Sequence, residues 1–191
     1  MEPHRFSLYD PIAEEYIAFV QAGLRDSRSV WAVAMKALLG MAGSTADLDV
    51  CDLACGEGYL ARLLARQSRS VIGIDLSARL LQHARQQKSS VNAQYIYEDA
   101  QHLNSLPDSY FDLVVCNLAL MDIPDLSAVY QAVERVLRSQ GRFVFSITHP
   151  CFQSPHASDN HDAAGQFQAR VVPRYAEEGA WTSRNKEGIR G

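Results

Sequence analysis

One stretch limits what this chain can fold into more than any other: Val50-Cys51-Asp52-Leu53-Ala54-Cys55-Gly56-Glu57-Gly58-Tyr59-Leu60-Ala61-Arg62-Leu63-Leu64-Ala65. It begins as a short apolar run closed by an acid, which is the pattern of a buried strand. It ends with apolar side chains at helical spacing, Leu60, Leu63 and Leu64. Gly56-Glu57-Gly58 joins the halves, and glycines there let the backbone turn sharply and come close to a ligand. A strand, a glycine turn and a helix N-terminus in that order form the nucleotide-handling corner of an α/β protein.

The same alternation runs on through the chain. The spacing predicts strands at 48–53, 70–75, 94–98, 111–118 and 142–148. It predicts helices at 57–67, at 77–88 with Ser77 as cap, and at 125–139 with an apolar face of Leu126, Val129, Val133, Val136 and Leu137, ended by Gly141. Two more helices come first. Asp10 caps one that starts at Pro11 and carries Ile12, Tyr16, Phe19 and Val20. The other, at 27–41, turns Val30, Trp31, Ala34, Leu38 and Met41 inward and stops at Gly43. Strands alternating with amphipathic helices imply right-handed crossovers, and so a Rossmann-like, doubly wound parallel sheet with helices on both faces. Residues 1–150 read as one domain, with 1–46 as a helical cap. Residues 151–191 read as a loop-rich tail or partial lid of that domain, with a single short strand at 167–175.

Composition excludes several classes. Hydrophobic residues make up 47% of the 191 and charged ones 21%, so the chain can bury a core. A net charge of -4 argues against a general nucleic-acid surface. No apolar run approaches a membrane span, and the N-terminus lacks a signal-peptide core. Cys51, Cys55, Cys116 and Cys151 show no paired spacing, which fits a reduced, cytoplasmic protein. His156, Asp159, His161 and Asp162 lie in a polar loop without zinc-type spacing, so no metal is expected.

Ligands of an open parallel sheet bind beyond the carboxyl ends of its strands. There the predicted strands deliver Asp52, Asp75, Glu98-Asp99, Cys116-Asn117 and Thr148-His149. Asp75 stands about twenty residues beyond the glycine turn, where an acid accepts both hydroxyls of a ribose. Asp99 is placed to accept from an exocyclic amine, as on adenine. Gly56-x-Gly58-x-x-Ala61 also matches the dinucleotide fingerprint, but Asp52 and Glu57 would oppose a pyrophosphate. Those two carboxylates favour a ligand carrying an ammonium and a sulfonium instead.

At these residues the chain resembles a known family. Asp52-Leu53-Ala54-Cys55-Gly56-Glu57-Gly58 is similar to the first motif of the class I S-adenosylmethionine-dependent methyltransferases, and Val71-Ile72-Gly73-Ile74-Asp75-Leu76-Ser77 to the second. Tyr97-Glu98-Asp99-Ala100 resembles the third motif and Phe111-Asp112-Leu113-Val114-Val115-Cys116-Asn117 the fourth. Tyr9-Asp10-Pro11-Ile12-Ala13-Glu14-Glu15-Tyr16 looks like the helical cap of the small-molecule, type 11-like branch. The resemblance spans about 8–150 and implies a methyltransferase that uses S-adenosylmethionine and releases S-adenosylhomocysteine. It implies that Asp52 and the backbone of Ala54, Cys55, Gly56 and Gly58 hold the methionine moiety, with Tyr9 in the cap above. It further implies that Asp75 holds the ribose, Leu76 packs on adenine, Asp99 and the Ala100 amide read the adenine edge, and Asn117 lines the floor.

Two departures bear on the expectation. Ala54 stands where many members have a glycine. The family's sheet also closes with an antiparallel hairpin, which the stretch after His149 does not spell out, so the chain reads as shortened and its fifth strand as an open edge that would admit a homodimer. Methyl transfer to a small-molecule acceptor needs a base only where the acceptor must lose a proton, and His149 and Asp122 are the candidates. Two alternatives stay open: a chain that binds S-adenosylmethionine without turnover, and an NAD(P)-dependent oxidoreductase. Phe152, Phe167, Tyr175 and Trp181 read either as a lid or as anchors of the tail.

Overall fold

Side chains of β1 (Asp49–Leu53) alternate between two cores, as period two requires: Val50 packs on one side, Cys51 and Leu53 on the other. That strand is the centre of a five-stranded parallel sheet. Around it lie β2 (Ser70–Asp75), β3 (Ala93–Tyr97), β4 (Phe111–Asn117) and β5 (Leu137–Ser146), in the order β3-β2-β1-β4-β5. The structure is a computed structural model and describes residues 7–87, 92–149 and 157–175. The chain forms two compact units, Met1–Ile147 and Thr148–Gly191.

In the first unit, α1 (Ala13–Arg25) and α2 (Val30–Ala42) precede the sheet, and α3 (Tyr59–Leu64), α4 (Ala78–Gln86) and α5 (Leu126–Val136) join its strands. Helices α2 and α3 cover Val50, Val71, Leu113, Val115 and Val144 on one face. Helix α5 and the link that carries Leu103 and Leu106 cover Cys51, Leu53, Ile74, Phe111, Val114 and Cys116 on the other. The sheet is therefore doubly wound, as expected, and its order reverses at the β1–β4 pair.

Several boundaries moved for identifiable reasons. Asp10 does not cap α1, whose N-cap is Ile12; a 3-10 turn, Asp10–Ile12, comes first. The Asp10 carboxylate instead accepts from the Ser77 hydroxyl at 2.6 Å and the Arg79 amide at 3.2 Å, bracing the start of α4. Ser77 is the cap of α4 and accepts from the Leu80 amide. Helix α2 buries Met35, Leu38 and Ala42, whereas Val30 and Met41 are exposed. Its composition is apolar nearly all round, so periodicity could not choose the face. Helix α5 ends at Val136 rather than near Gly141, because Leu137 already pairs with Phe111 of β4. Residues 138–141 then form an irregularity before Arg142 pairs with Leu113.

The amino ends of the strands are tied by charge. Asp49 Oδ2 accepts from Arg69 at 2.8 Å and from Arg138 at 3.0 Å, and Asp49 Oδ1 accepts from the Ser70 hydroxyl. Asp112 Oδ2 accepts from Arg138 at 2.6 Å and from the Asp49 amide at 2.8 Å.

In the second unit β6 (Ser158–His161) and β7 (Phe167–Val171) form an antiparallel hairpin that is a sheet of its own. The tail thus holds two strands where one was expected, and the expected lack of a hairpin is corrected to a small, separate one. Asp159 pairs with Arg170 at 2.8 Å, and His161 meets the Phe167 ring edge-on. Phe167 and Tyr175 are exposed; Phe152, His156 and Trp181 lie outside the described residues. No helix among the described residues is long and apolar enough to cross a membrane.

Candidate functional site

Beyond Leu53 the chain turns through three left-handed residues, Ala54 at φ 55°, Gly56 at φ 55° and Gly58 at φ 78°. The Cys55 amide donates to the Ile74 carbonyl at 2.8 Å, and the Gly56 amide donates to Asp75 Oδ2 at 2.8 Å. Asp75 Oδ1 accepts from the Ser77 amide at 2.8 Å. One carboxylate thus clamps the glycine turn to the start of α4. Burial raises the Asp75 carboxyl above its ordinary range, against the pull of those amide hydrogen bonds.

The two glycines serve different neighbours. A Cβ on Gly58 would lie 2.7 Å from Tyr95 Oη, so the space there belongs to the protein's own tyrosine rather than to a ligand. A Cβ on Gly56 would meet only the Tyr16 ring, 4.0 Å away.

Gly56 faces a cleft of about 450 Å³ with its open mouth included. The turn and β4 contribute Asp52, Ala54, Cys55, Gly56, Glu57 and Asn117. The helices contribute Tyr16, Val20 and Leu24 (α1), Trp31 and Met35 (α2), and Tyr59 and Leu60 (α3). Six of the predicted turn and strand-end positions therefore meet in one place, at the point where strand order reverses. The helical wall escaped the sequence reading because Tyr16 and Trp31 scan as ordinary core positions.

The cleft is electronegative. Asp52 is 1% exposed, and burial, with Asp75 and Glu57 nearby, pushes its carboxyl up to about 8 despite the Ala61 amide. Glu57 is buried as well, with Oε2 held by Arg62 at 2.7 Å, so it is not the bare anion of the sequence reading. Burial and the same carboxylates raise the Tyr16 phenol and the Cys55 thiol, which keeps both protonated. Among the described residues three buried side-chain polar atoms lack a hydrogen-bond partner: Asp52 Oδ2, Glu57 Oε1 and Trp31 Nε1. All three residues line this cleft.

Several of the predicted positions, in the cleft and outside it, are held by neighbours. Tyr9 Oη donates to Asp122 Oδ2 at 2.8 Å. The Asp99 carboxylate accepts from the Gln101 amide and side chain at 2.9 Å, and Gln101 Oε1 accepts from the Asp125 amide that opens α5. Gln101, which no sequence motif announced, thus fixes the Asp99 carboxylate against the start of α5. Ala100 is buried and Leu76 half-buried. Asn117 Oδ1 accepts from the Ser146 hydroxyl at 2.8 Å, which orients its amide at the cleft floor. His149 belongs to the second unit, is exposed, and stacks on Tyr175 at 6.0 Å. Among the described residues no group of three His, Cys, Asp or Glu side chains is arranged to hold a metal ion.

Such a cleft suits a cation. Two unpaired buried carboxylate oxygens would take ammonium protons, and among the described residues no lysine, arginine or histidine lines the walls.

Comparisons agree with the geometry. The methyltransferase domain family matches residues 51–145. A ubiquinone biosynthesis O-methyltransferase of Serratia proteamaculans is 37% identical over 112 residues, covering 57% of this chain and 46% of that protein. A malonyl-[acyl-carrier protein] O-methyltransferase of Hamiltonella defensa is 35% identical over 109 residues, covering 57% and 41%. The chain thus spans about half the length of the curated relatives it matches. A crystal structure of an S-adenosylmethionine-dependent methyltransferase from Mesorhizobium loti superposes with a TM-score of 0.67 at 31% identity, covering 78% of this chain and 66% of that one.

Proposed function

The chain belongs to the S-adenosylmethionine-dependent methyltransferases, and on that premise we propose that it transfers a methyl group to a small-molecule acceptor by in-line displacement. The observation that carries this reading is the pair of unpaired, buried carboxylate oxygens of Asp52 and Glu57 in a cleft lined, among the described residues, by no cationic side chain. S-adenosylmethionine supplies a methyl group already activated on a sulfonium.

The residues then divide the work. Asp52 and the backbone of Ala54, Cys55 and Gly56 hold the methionine end, while Gly58, whose amide donates to the Cys55 carbonyl, shapes the turn against Tyr95. Asp75, set by the Gly56 and Ser77 amides, holds the ribose. Leu76 packs on the adenine, while Asp99 and the Ala100 amide read its edge, Asp99 being set by Gln101. Asn117, turned by Ser146, lines the floor near the reacting centre. Tyr9 contributes through Asp122, its hydrogen-bond acceptor. Where the acceptor must lose a proton, Asp122 takes it. Helices α1 and α2 wall the site against water, which sharpens alignment and electrostatics.

Both curated relatives are, by their names, O-methyltransferases; an oxygen of a small molecule is accordingly the acceptor we favour. We take residues 1–150 as the donor-binding domain with its helical cap at 1–46, and 151–191 as its tail. The free thiols of Cys51, Cys55 and Cys116 fit a reducing, cytoplasmic setting. The edge position of β5 in its sheet fits a homodimer.

Thermal shift with S-adenosylmethionine, S-adenosylhomocysteine and NAD tests the donor. The first two should raise Tm and NAD should not; stabilisation by NAD alone would sink the reading. Transfer of labelled methyl from the donor into a metabolite extract tests turnover, and no labelled product would leave a binding protein rather than an enzyme.

A further inference from the structure

Resting on the assignment of this cleft to the methionine end of the donor, we propose that the Trp31 indole N–H takes the ligand's carboxylate and makes the cleft select a zwitterionic amino-acid tail over a purely cationic one. The argument starts from the three unpaired atoms. Asp52 Oδ2 and Glu57 Oε1 can only accept while ionised, whereas Trp31 Nε1 can only donate. An α-amino acid end is their complement: its ammonium donates to the acids and its carboxylate accepts from the indole. Among the described residues the walls carry two acids and no lysine or arginine, so a carboxylate entering this cleft takes a neutral donor. The indole N–H is buried and unpartnered among the described residues, a cost that a bound carboxylate would relieve.

Trp31 is also held in place before any ligand arrives. A Cβ on Gly23 would lie 2.5 Å from Trp31 Cδ1, so a glycine in the last turn of α1 makes room for the indole. Its ring meets Tyr16 and Phe19 edge-on at 6.1 and 6.3 Å. Ser29 caps α2 through the Ala32 amide and donates its hydroxyl to the Gly23 carbonyl, which fixes the helix junction around the ring. A donor held this rigidly loses little entropy on binding.

The test compares S-adenosylmethionine with decarboxylated S-adenosylmethionine, which keeps the ammonium and sulfonium but lacks the carboxylate, by titration calorimetry on wild type and Trp31→Phe. Trp31→Phe should weaken S-adenosylmethionine roughly ten- to hundredfold and change the decarboxylated ligand less than about threefold. Trp31→His, which keeps an N–H donor, should recover part of the loss. Equal weakening of both ligands would show a packing role, and unchanged affinity for both would show none; either result overturns the proposal while leaving the donor assignment standing. A wild type that binds neither ligand overturns the donor assignment and the proposal together. The wild-type chain gives a second readout, because it has only two tryptophans. The indole N–H resonance of Trp31, distinguished by Trp181→Phe, should move downfield with S-adenosylmethionine and not with the decarboxylated ligand.

Discussion

The Tyr9 phenol donates to the Asp122 carboxylate across 2.8 Å, joining the start of the helical cap to the exit of β4, 113 residues further along the chain. A cap that packs only through helix faces could slide; a hydrogen bond to a carboxylate fixes its register over the sheet. Ala13 and Ile17 of α1 pack against Leu80 of α4 beside it, with Tyr9 and Tyr16 at the margin.

That bond should appear as energetic coupling. In a double-mutant cycle of Tyr9→Phe and Asp122→Asn, urea unfolding should give an interaction of about 1.5–3 kcal/mol, the range of hydrogen bonds to charged groups. Additive effects would mean the contact does not hold the cap.

Asp52 makes donor binding depend on pH. Its carboxyl, pushed up to about 8 by burial, must ionise to meet a cation. Affinity for S-adenosylmethionine should therefore rise from pH 6 to pH 8, by up to about tenfold per pH unit, with release of a proton. Asp52→Asn should flatten the profile in calorimetry across that range.

The same shift predicts a stability effect of opposite sign. The folded pKa lies above the ordinary value near 3.9, so folding favours the protonated acid and stability falls as pH rises between about 4 and 8. Unliganded Asp52→Asn should be more stable than wild type at pH 8 by roughly 1–3 kcal/mol, although it binds donor less tightly. A less stable variant at that pH would show that the buried carboxylate is not a cost.

Ala54 and Gly58 should respond in opposite directions. Ala54 carries a Cβ at φ 55°, a region that costs an ordinary residue about 1–2 kcal/mol. After the extra chain entropy of glycine, Ala54→Gly should stabilise by about 0.5 kcal/mol. Gly58→Ala adds the same strain and drives a methyl into Tyr95, for a loss of about 2–4 kcal/mol. Chemical denaturation of both variants measures this.

The clamp at the other end of the sheet predicts acid sensitivity. Burial alone would raise Asp49, but hydrogen bonds from Ser70 and Arg138 and the charge of Arg69 hold it below the usual range; Arg138 and the Asp49 amide do the same for Asp112. Depressed carboxylates stabilise the fold above their unfolded pKa, and that contribution is lost as pH falls below about 4. Asp49→Asn should lower Tm by a few degrees at pH 7 and reduce the further drop between pH 4 and pH 2, as followed by circular dichroism.

Much of the fold was legible because strand and helix periods differ so plainly here. The run 70–75 cannot be a surface helix, and the spacing of Val129, Val133 and Val136 cannot be a strand. Faces and ends were less legible. Met35 rather than Ala34 faces the sheet because α2 is apolar nearly all round and packing, not pattern, chose its rotation. Leu137 leaves α5 because it finds Phe111 across the sheet, a partner that local sequence does not contain.

The sequence by itself determined the order of strands and helices, the glycine turn at 54–58 and the presence of acids at successive strand exits, since all of these are local properties of pattern and spacing. Only the tertiary structure decided which acids are spoken for. Asp75 is engaged by Gly56 and Ser77, Asp99 by Gln101, Asp122 by Tyr9 and one oxygen of Glu57 by Arg62. Asp52 Oδ2, Glu57 Oε1 and Trp31 Nε1 alone are buried without a partner among the described residues. Charge pairing is set by distance and burial in three dimensions, and neither is written into the spacing of residues along the chain.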